Sequence, residues 1–414
     1  MRTRRRALLG FALTTSVLAG LLAPTAPSVA AAVPNTIPLT IQNTSGRGGP
    51  VYIYVLGESL TTHRLGYADA GGSFHEWTGG GTVPSPAPDV SIPGPANGQT
   101  KTIQIPKLSG RVYFSFGEKI KFFLTSTGLV QPAPWNPSDP NRDILFDWSE
   151  YTLNDSGLWI NSSQVDMFSV PHEVSVKAAD GSVKRTGSLV SNGRDLVLDA
   201  IKNQPGGWSK LVYTRPDGLR VRALAPGKGI DAGVFTPSAM DGYITRSWDT
   251  YRTKTLTVIP FSDQPNTRYY GRTQGSEMVF TNGAGQTVAT FQKPTTADVF
   301  GCDGKLAAPN DAVVGPIART LCAAFNRTTL DRISTQPSTD ASRFYQDAET
   351  NHYSRHIHAH MADGKAYAFA FDDVGGFESL VHHGNPQQAH IDLTPFSNST
   401  STPTPTPTSP TPTP

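Results

Sequence analysis

Two carboxylates lie in stretches that read as strands. Residues 144–154 run Ile-Leu-Phe-Asp-Trp-Ser-Glu-Tyr-Thr-Leu-Asn and set Glu150 among large apolar and aromatic side chains. Residues 162–171, Ser-Ser-Gln-Val-Asp-Met-Phe-Ser-Val-Pro, do the same for Asp166. One acid in such a strand is ordinarily on a solvated face. Two of them, close in sequence and flanked by aromatics, can face each other across a groove. Glycoside cleavage needs that pairing: one carboxylic acid protonates the leaving oxygen, and the second carboxylate acts as base or nucleophile. Trp135, Trp148, Tyr151 and Trp159 are candidates to stack on sugar rings. Thr152 and Asn154 alternate with Glu150, so in a strand all three side chains point the same way.

Other groupings carry less. His352, His356, His358 and His360 cluster, and on a helix His352, His356 and His360 would share a face. With Asp347, Glu349 and Asp363 nearby they still match no metal-ligand spacing, so no metal or other cofactor is expected. Gly79-Gly80-Gly81 is followed by prolines at 84, 86 and 88 and by no Lys-Ser/Thr pair, which makes a loop and no phosphate cradle. Asn43, Asn161, Asn326 and Asn398 each begin an Asn-x-Ser/Thr triplet, a pattern short enough to arise by chance. Cys302 and Cys322 are the only cysteines. In an exported chain so close a pair reads as a local disulfide, contributing about 3 kcal/mol across its loop of ~20 residues.

The elements that must position these residues are mostly strands. Across 414 residues there are 39 glycines and 34 prolines against only 16% charged side chains, a turn-rich composition that favours β structure over helix. A formal charge of +2 excludes a strongly basic nucleic-acid binder as the leading reading. Residues 50–56 and 111–116 read as strands, and 172–185 and 277–291 as hairpins. Residues 195–201 read as a short helix after the Asn192-Gly193 break. A longer helix places Val314, Ile317, Ala318, Leu321 and Phe325 on one face, with Pro316 in its first turn.

Both ends lie outside this core. Arg2, Arg4, Arg5 and Arg6 precede an apolar run over 7–23 and a small-residue stretch ending at Ala32, the pattern of a secretory signal peptide by the Sec or the twin-arginine route. Its removal takes the charge from +2 to −2. Residues 397–414 are a Thr/Pro-rich segment of extended, disordered type, such as tethers a further module.

Three segments carry a family resemblance. Residues 149–154 (Ser-Glu-Tyr-Thr-Leu-Asn) and 165–171 (Val-Asp-Met-Phe-Ser-Val-Pro) resemble the acidic-cleft segments of thaumatin-like proteins. Residues 366–373 (Ala-Tyr-Ala-Phe-Ala-Phe-Asp-Asp) resemble the strand of that family ending in paired aspartates. Order, spacing and layout over residues 33–396 are most similar to glycoside hydrolase family 64, exported bacterial endo-β-1,3-glucanases that release laminaripentaose. The resemblance implies a mainly β fold: a thaumatin-like β-barrel or sandwich with an inserted mixed α/β domain, crescent-shaped around a wide groove. The expected divisions are a signal peptide to residue 32, the β domain over 33–204, the α/β domain over 205–345, a return of β structure over 346–396, and the tail. It also implies an inverting mechanism with Glu150 as general acid and Asp166 as general base, a water lying between carboxyls roughly 6.5–9.5 Å apart.

Thr152, Asn154, Trp159, Asp372 and Asp373 are the implied substrate-binding residues. Trp148, Tyr151 and the Asp372–Asp373 pair are the expected means of keeping Glu150 protonated. The implied partner is neutral β-1,3-glucan of the laminarin or curdlan type. A secreted, extracellular monomer is expected, without nucleic acid and without membrane association once the leader is removed. Plant thaumatin-like proteins are rich in disulfides; this chain has at most one, which favours the bacterial enzymes. The rival reading is a thaumatin-like protein that binds β-glucan through the same acids without cutting it. A structural wall protein would explain the tail but leave the carboxylates unexplained.

Overall fold

The computed structural model describes residues 32–397, so the leader and the Thr/Pro tail lie outside the described residues, as does Asn398. Its first strand, Thr36–Asn43, alternates strictly: Ile37, Leu39 and Ile41 are buried while Pro38, Thr40 and Gln42 turn outward. That period of two makes it one layer of a sandwich. Five strands form the first sheet, in the order Val183–Thr186, His172–Ala178, Pro386–Leu393, Thr36–Asn43, Thr100–Pro106. Its one parallel pair joins the first and last strands of the chain, Leu39 opposite Ala389. The facing sheet runs Leu380–His383, Gly157–Ser162, Leu145–Asn154, Leu108–Phe116, Val51–Ser59, Leu65–Ala68, Phe74–Glu76. Leu39, Ile41, Val174 and Ile391 from one layer and Val112, Phe114, Leu153 and Ile160 from the other fill the space between them.

Within Leu145–Asn154 the two faces have different tasks. Leu145, Tyr151 and Leu153 enter the sandwich core, whereas Phe146 and Trp148 pack on the outer face with Tyr54, Tyr113 and Met167. Glu150 and Thr152 continue that outer face. A slip of one residue would expel Tyr151 and Leu153, losing roughly 1.5–3 kcal/mol for each large apolar side chain, and would drive Glu150 into an apolar layer. The register that presents the carboxylate is therefore held by its neighbours' hydrophobicity. Asp147, on the inner side, accepts hydrogen bonds from the backbone N–H groups of Ser169 and Val170, at 2.9 and 3.0 Å, and fixes where the chain re-enters the sandwich.

A second core lies beside the sandwich. A five-stranded sheet, Thr287–Gln292, Glu277–Thr281, Tyr269–Gln274, Leu256–Val258, Thr335–Gln336, packs with helices that include Gly193–Asn203, Asp241–Thr250, Val314–Asn326 and His352–His360. Tyr243, Trp248, Phe280, Leu321, Phe325 and Ile357 are fully buried there. Thr295 caps the short helix Thr296–Gly301 in a reciprocal box with Asp298, and a Cys302–Cys322 disulfide ties the end of that helix to Val314–Asn326. Pro316 falls in the first turn of Val314–Asn326. Of the described residues 34% are strand and 18% helix, so the fold is mainly β.

Two local expectations are corrected. Residues 346–379 do not return to strands: they hold the helix His352–His360 and a run of turns packed on the second core, and strands resume only at Leu380. Asp166 sits in a bend between Gly157–Ser162 and the short strand Met167–Phe168, not within a strand.

Candidate active site

On the outer face of the large sheet, register brings together residues far apart in sequence. Glu150 is opposite Arg111 on one side and Asn161 on the other, and Asn161 is opposite Leu380. Paired residues project to the same side. Arg111 Nη2 lies 3.1 Å from Glu150 Oε1 and 3.6 Å from Asp166 Oδ2. Both legs end on one nitrogen, so the nearest oxygens of the two acids are no farther apart than those legs laid end to end. Asn161 Nδ2 donates to Glu150 Oε2 at 3.3 Å. The far oxygen of Asp166 meets Lys228 Nζ at 3.2 Å. Lys228 comes from the helix Pro226–Asp231, and the Ala225 N–H just before that helix donates to the Asp166 carbonyl at 3.0 Å. Glu150 thus belongs to the sandwich, while Asp166 is held at the seam with the second core.

Electrostatics separates the two acids. Burial is the main cause that raises the Glu150 carboxyl above its ordinary value; Arg111 and the Asn161 amide oppose it, and the negative charge of Asp166 adds to it. A buried carboxyl raised in this way is suited to donate a proton. Asp166 has a cation against each oxygen. Arg111 stays firmly protonated: burial opposes its charge, but Tyr113, Glu150 and Asp166 outweigh that. The two cations lie over aromatic rings, Arg111 4.5 Å from the Trp148 centroid and Lys228 4.6 Å from that of Trp135.

The remaining sequence candidates divide. Thr152 shares the Glu150 face and its hydroxyl meets that of Ser109 at 3.0 Å. Asn154 is half-buried at the end of the same strand, and Trp159, opposite Thr152, stacks on His382 with centroids 4.1 Å apart. Trp148 and Tyr151 are buried in two different cores and offer no face to a sugar. Asp372 is also withdrawn. It is fully buried, accepts from Arg327 and from the Ala368 N–H, at 2.8 and 3.0 Å, and meets His358 Nε2 at 2.8 Å. Sealed in this way it is closed to a substrate, and its contacts hold the turn that follows. Asp373, its neighbour, is exposed.

His358 is taken by that contact, and His356 meets Gln204 at 3.1 Å. Among the described residues no group of three or more His, Cys, Asp or Glu side chains is arranged to hold a metal. Asn43, Asn161 and Asn326 are buried, so those triplets are closed to glycosylation in the folded chain.

Comparison with known proteins decides the family. The profile of the β-1,3-glucanases of glycoside hydrolase family 64 matches residues 35–393. The chain belongs to that family. It is 53% identical, over 93% of its length and 69% of the relative's, to a protein of Arthrobacter sp. (strain YCWD3) named glucan endo-1,3-beta-glucosidase. A protein of the same name from Cellulosimicrobium cellulans matches at the same identity and coverage. Among solved structures, a laminaripentaose-producing β-1,3-glucanase in complex with laminaritetraose superposes with a TM-score of 0.86 at 58% identity, covering 88% of this chain and all of that one. A family 64 β-1,3-glucanase domain from Clostridium beijerinckii gives 0.73 at 26% identity, over 87% of this chain and 98% of the other.

Three residues of this family 64 site escape a linear reading: Arg111, Asn161 and Lys228. Arg111 left one trace, a lone cation opening an otherwise apolar strand. Asn161 leaves another, being three residues before a polar Gln164 and on the strand hairpinned to that of Glu150. For Lys228 there is no local sign, since only tertiary packing brings the Pro226–Asp231 helix to Asp166.

Proposed function

We propose that this chain is an endo-β-1,3-glucanase that hydrolyses laminarin- or curdlan-type glucan, with Glu150 as general acid and Asp166 as general base in an inverting reaction. The observation that carries this reading is the Glu150–Arg111–Asp166 bridge on the outer face of a family 64 sandwich. Glu150, raised by burial, donates its proton to the glycosidic oxygen as the bond breaks. Asp166, in contact with Arg111 and Lys228, draws a proton from a water that attacks the opposite side of the sugar ring. Such a water needs carboxyls roughly 6.5–9.5 Å apart, and the two Arg111 contacts bring both acids to one guanidinium nitrogen. The charge-poor outer face around Thr152, Asn154 and Trp159 suits a neutral polysaccharide.

The wider setting is part of the proposal. The sandwich is of thaumatin-like type, and with the second core it encloses a wide groove in a crescent-shaped, secreted monomer. Laminaripentaose is the main product, as in the name of the relative solved with laminaritetraose.

Proton NMR of laminari-oligosaccharide digestion in the first minutes tests the mechanism. Early α-anomer is expected; early β-anomer keeps the activity and rejects inversion. Glu150→Gln should abolish new reducing ends, a loss of at least about 10²–10⁴-fold, while adsorption to insoluble glucan persists. Turnover surviving in that variant rejects Glu150 as the acid. Adsorption without product in the wild-type chain makes it a glucan-binding protein.

A further inference from the structure

Arg111, which touches both reacting acids, is itself held from behind by a residue with no task in the reaction described above. Tyr113 is two positions further along the strand Leu108–Phe116 and shares the outer face with Arg111. Its ring is buried between Trp148 on one neighbouring strand and Tyr54 on the other, with centroids 5.5 Å from Trp148 and 5.7 Å from Phe122. A small sheet, Gly128–Val130, Phe123–Thr125 and Ser85–Pro86, covers these rings and sends Leu124 and Leu129 into the same apolar layer. The phenol oxygen is the polar point of this packing. Arg111 Nη1 donates to it at 3.3 Å, and the Tyr113 hydroxyl donates to Gln131 Oε1 at 2.5 Å. Gln131 follows directly on Gly128–Val130 and is exposed.

The guanidinium therefore faces two ways. Nη1 is on Tyr113, while Nη2 is 3.1 Å from Glu150 Oε1 and 3.6 Å from Asp166 Oδ2, and the plane rests on Trp148. A buried guanidinium N–H needs an acceptor. Tyr113 supplies a neutral one, so Nη1 does not have to find a carboxylate. A guanidinium free to close on an acid with both ends grips it more strongly and favours its ionised form, which a proton donor cannot use. The charged and titratable groups facing Glu150 are Arg111 and Asp166; beyond them stand Tyr113 on Arg111, Lys228 on the far oxygen of Asp166, and the Tyr367 phenol, which lies in the Glu150 field.

We infer that Tyr113 and Gln131 are positioning residues for the glucanase: the Tyr113 hydroxyl, braced by Gln131, holds one end of the Arg111 guanidinium back and so fixes how far that cation closes on Glu150. This rests on the glucanase reading above, and the two fail differently. A wild-type chain that releases no product overturns both; an active wild type whose variants behave otherwise than below overturns this inference alone.

The test is the pH profile of laminarin hydrolysis by the wild type, Tyr113→Phe and Gln131→Glu, with urea denaturation of each. Tyr113→Phe removes the acceptor and leaves the ring. Arg111 should then turn further onto the acids, moving the alkaline limb of kcat/KM down by roughly half to one pH unit, a fraction of the effect of a whole charge. Near neutral pH kcat should fall roughly 3- to 10-fold with KM retained. A merely structural tyrosine would lower the urea midpoint and leave the limb in place; a limb that stays or moves up overturns the inference. Gln131→Glu sets an anion against the phenol, makes its oxygen a stronger acceptor for Nη1, and should move the alkaline limb the opposite way, upward. That shift should persist in about 1 M salt, where screening over about 3 Å removes the field of an exposed charge but not a contact. It should vanish when Gln131→Glu is combined with Tyr113→Phe. If Tyr113→Phe does not fold, Gln131→Glu decides alone: an alkaline limb that stays in place at high salt is equally fatal.

Discussion

Arg111→Met gives the sharpest test of how the two acids are held apart in function. The substitution keeps most of the side chain's volume over Trp148 but removes the one cation that touches both Glu150 and Asp166. An opposite charge within about 4–6 Å lowers a carboxyl by about 1–3 pH units, so its loss should lift Glu150 further. Glu150 must be protonated to act; lifting it moves the alkaline limb of kcat/KM upward by at least about one pH unit. The limbs belong to the coupled pair, and because the alkaline limb moves out the profile broadens toward alkaline pH.

Stability should follow the same protons. The folded protein already holds the Glu150 proton more tightly than the unfolded chain, so this group's contribution falls as pH rises from roughly 4.3 through the folded value. Without Arg111 that fall continues to higher pH, and where the carboxylates stay ionised the cost approaches about 3–5 kcal/mol for a broken buried pair. The assay is reducing-end release from laminarin between about pH 4 and pH 9, with urea denaturation at each pH to separate folding from rate. A folded Arg111→Met whose alkaline limb stays in place or moves down refutes the reasoning.

Three further outcomes are expected. Asp372→Asn should destabilise without removing any group that meets substrate. Burial opposes the Asp372 charge, but His358 and Arg327 outweigh it and hold the carboxyl low, while Asp372 in turn lifts His358 against its own burial. The gap to wild type in urea midpoint should therefore be widest below the ordinary histidine value of about 6.5 and shrink as pH rises through the raised His358 value. Gly157→Ala should cost about 1–3 kcal/mol, because φ is +127° and a Cβ there would sit 2.2 Å from the His383 carbonyl oxygen. The same change should raise KM by loosening the Trp159–His382 stack. Cys322→Ser should lower stability by about 3 kcal/mol in thermal unfolding while leaving kcat below the transition unchanged.

The legible part of this protein was what a period of two carries. Glu150, Thr152 and Asn154 could be set on one face because alternation in a strand is a local property, and Tyr151 and Leu153 were bound to take the other. Both hairpins and the Val314–Asn326 helix were readable for the same reason. Legibility failed where a turn intervenes. Asp372 and Asp373 are adjacent and chemically alike, yet one is sealed against Arg327 and the other is exposed, because a run of turns has no fixed facing. Residues 346–379 depart from the expected return of β structure: the Asn351 side chain accepting from the Ser354 N–H starts a helix there, and the second core accepts its apolar side. Lys228 is 62 positions from Asp166 on a six-residue helix, and only the finished fold brings the two together.

The parallel pairing of Thr36–Asn43 with Pro386–Leu393 has a consequence for how the protein comes into being. The last strand lies in the middle of its sheet, between the first strand and His172–Ala178, so until residue 393 has emerged the sheet is two separate halves with open edges. Leu380–His383, which carries His382 to Trp159, arrives only just before it. Nearly the whole chain must be synthesised before its first strand can find its permanent neighbour, and loop closure over such a span makes folding slow. A chain still on the ribosome therefore lacks the completed sheet and, with it, the His382 ring that stacks on Trp159.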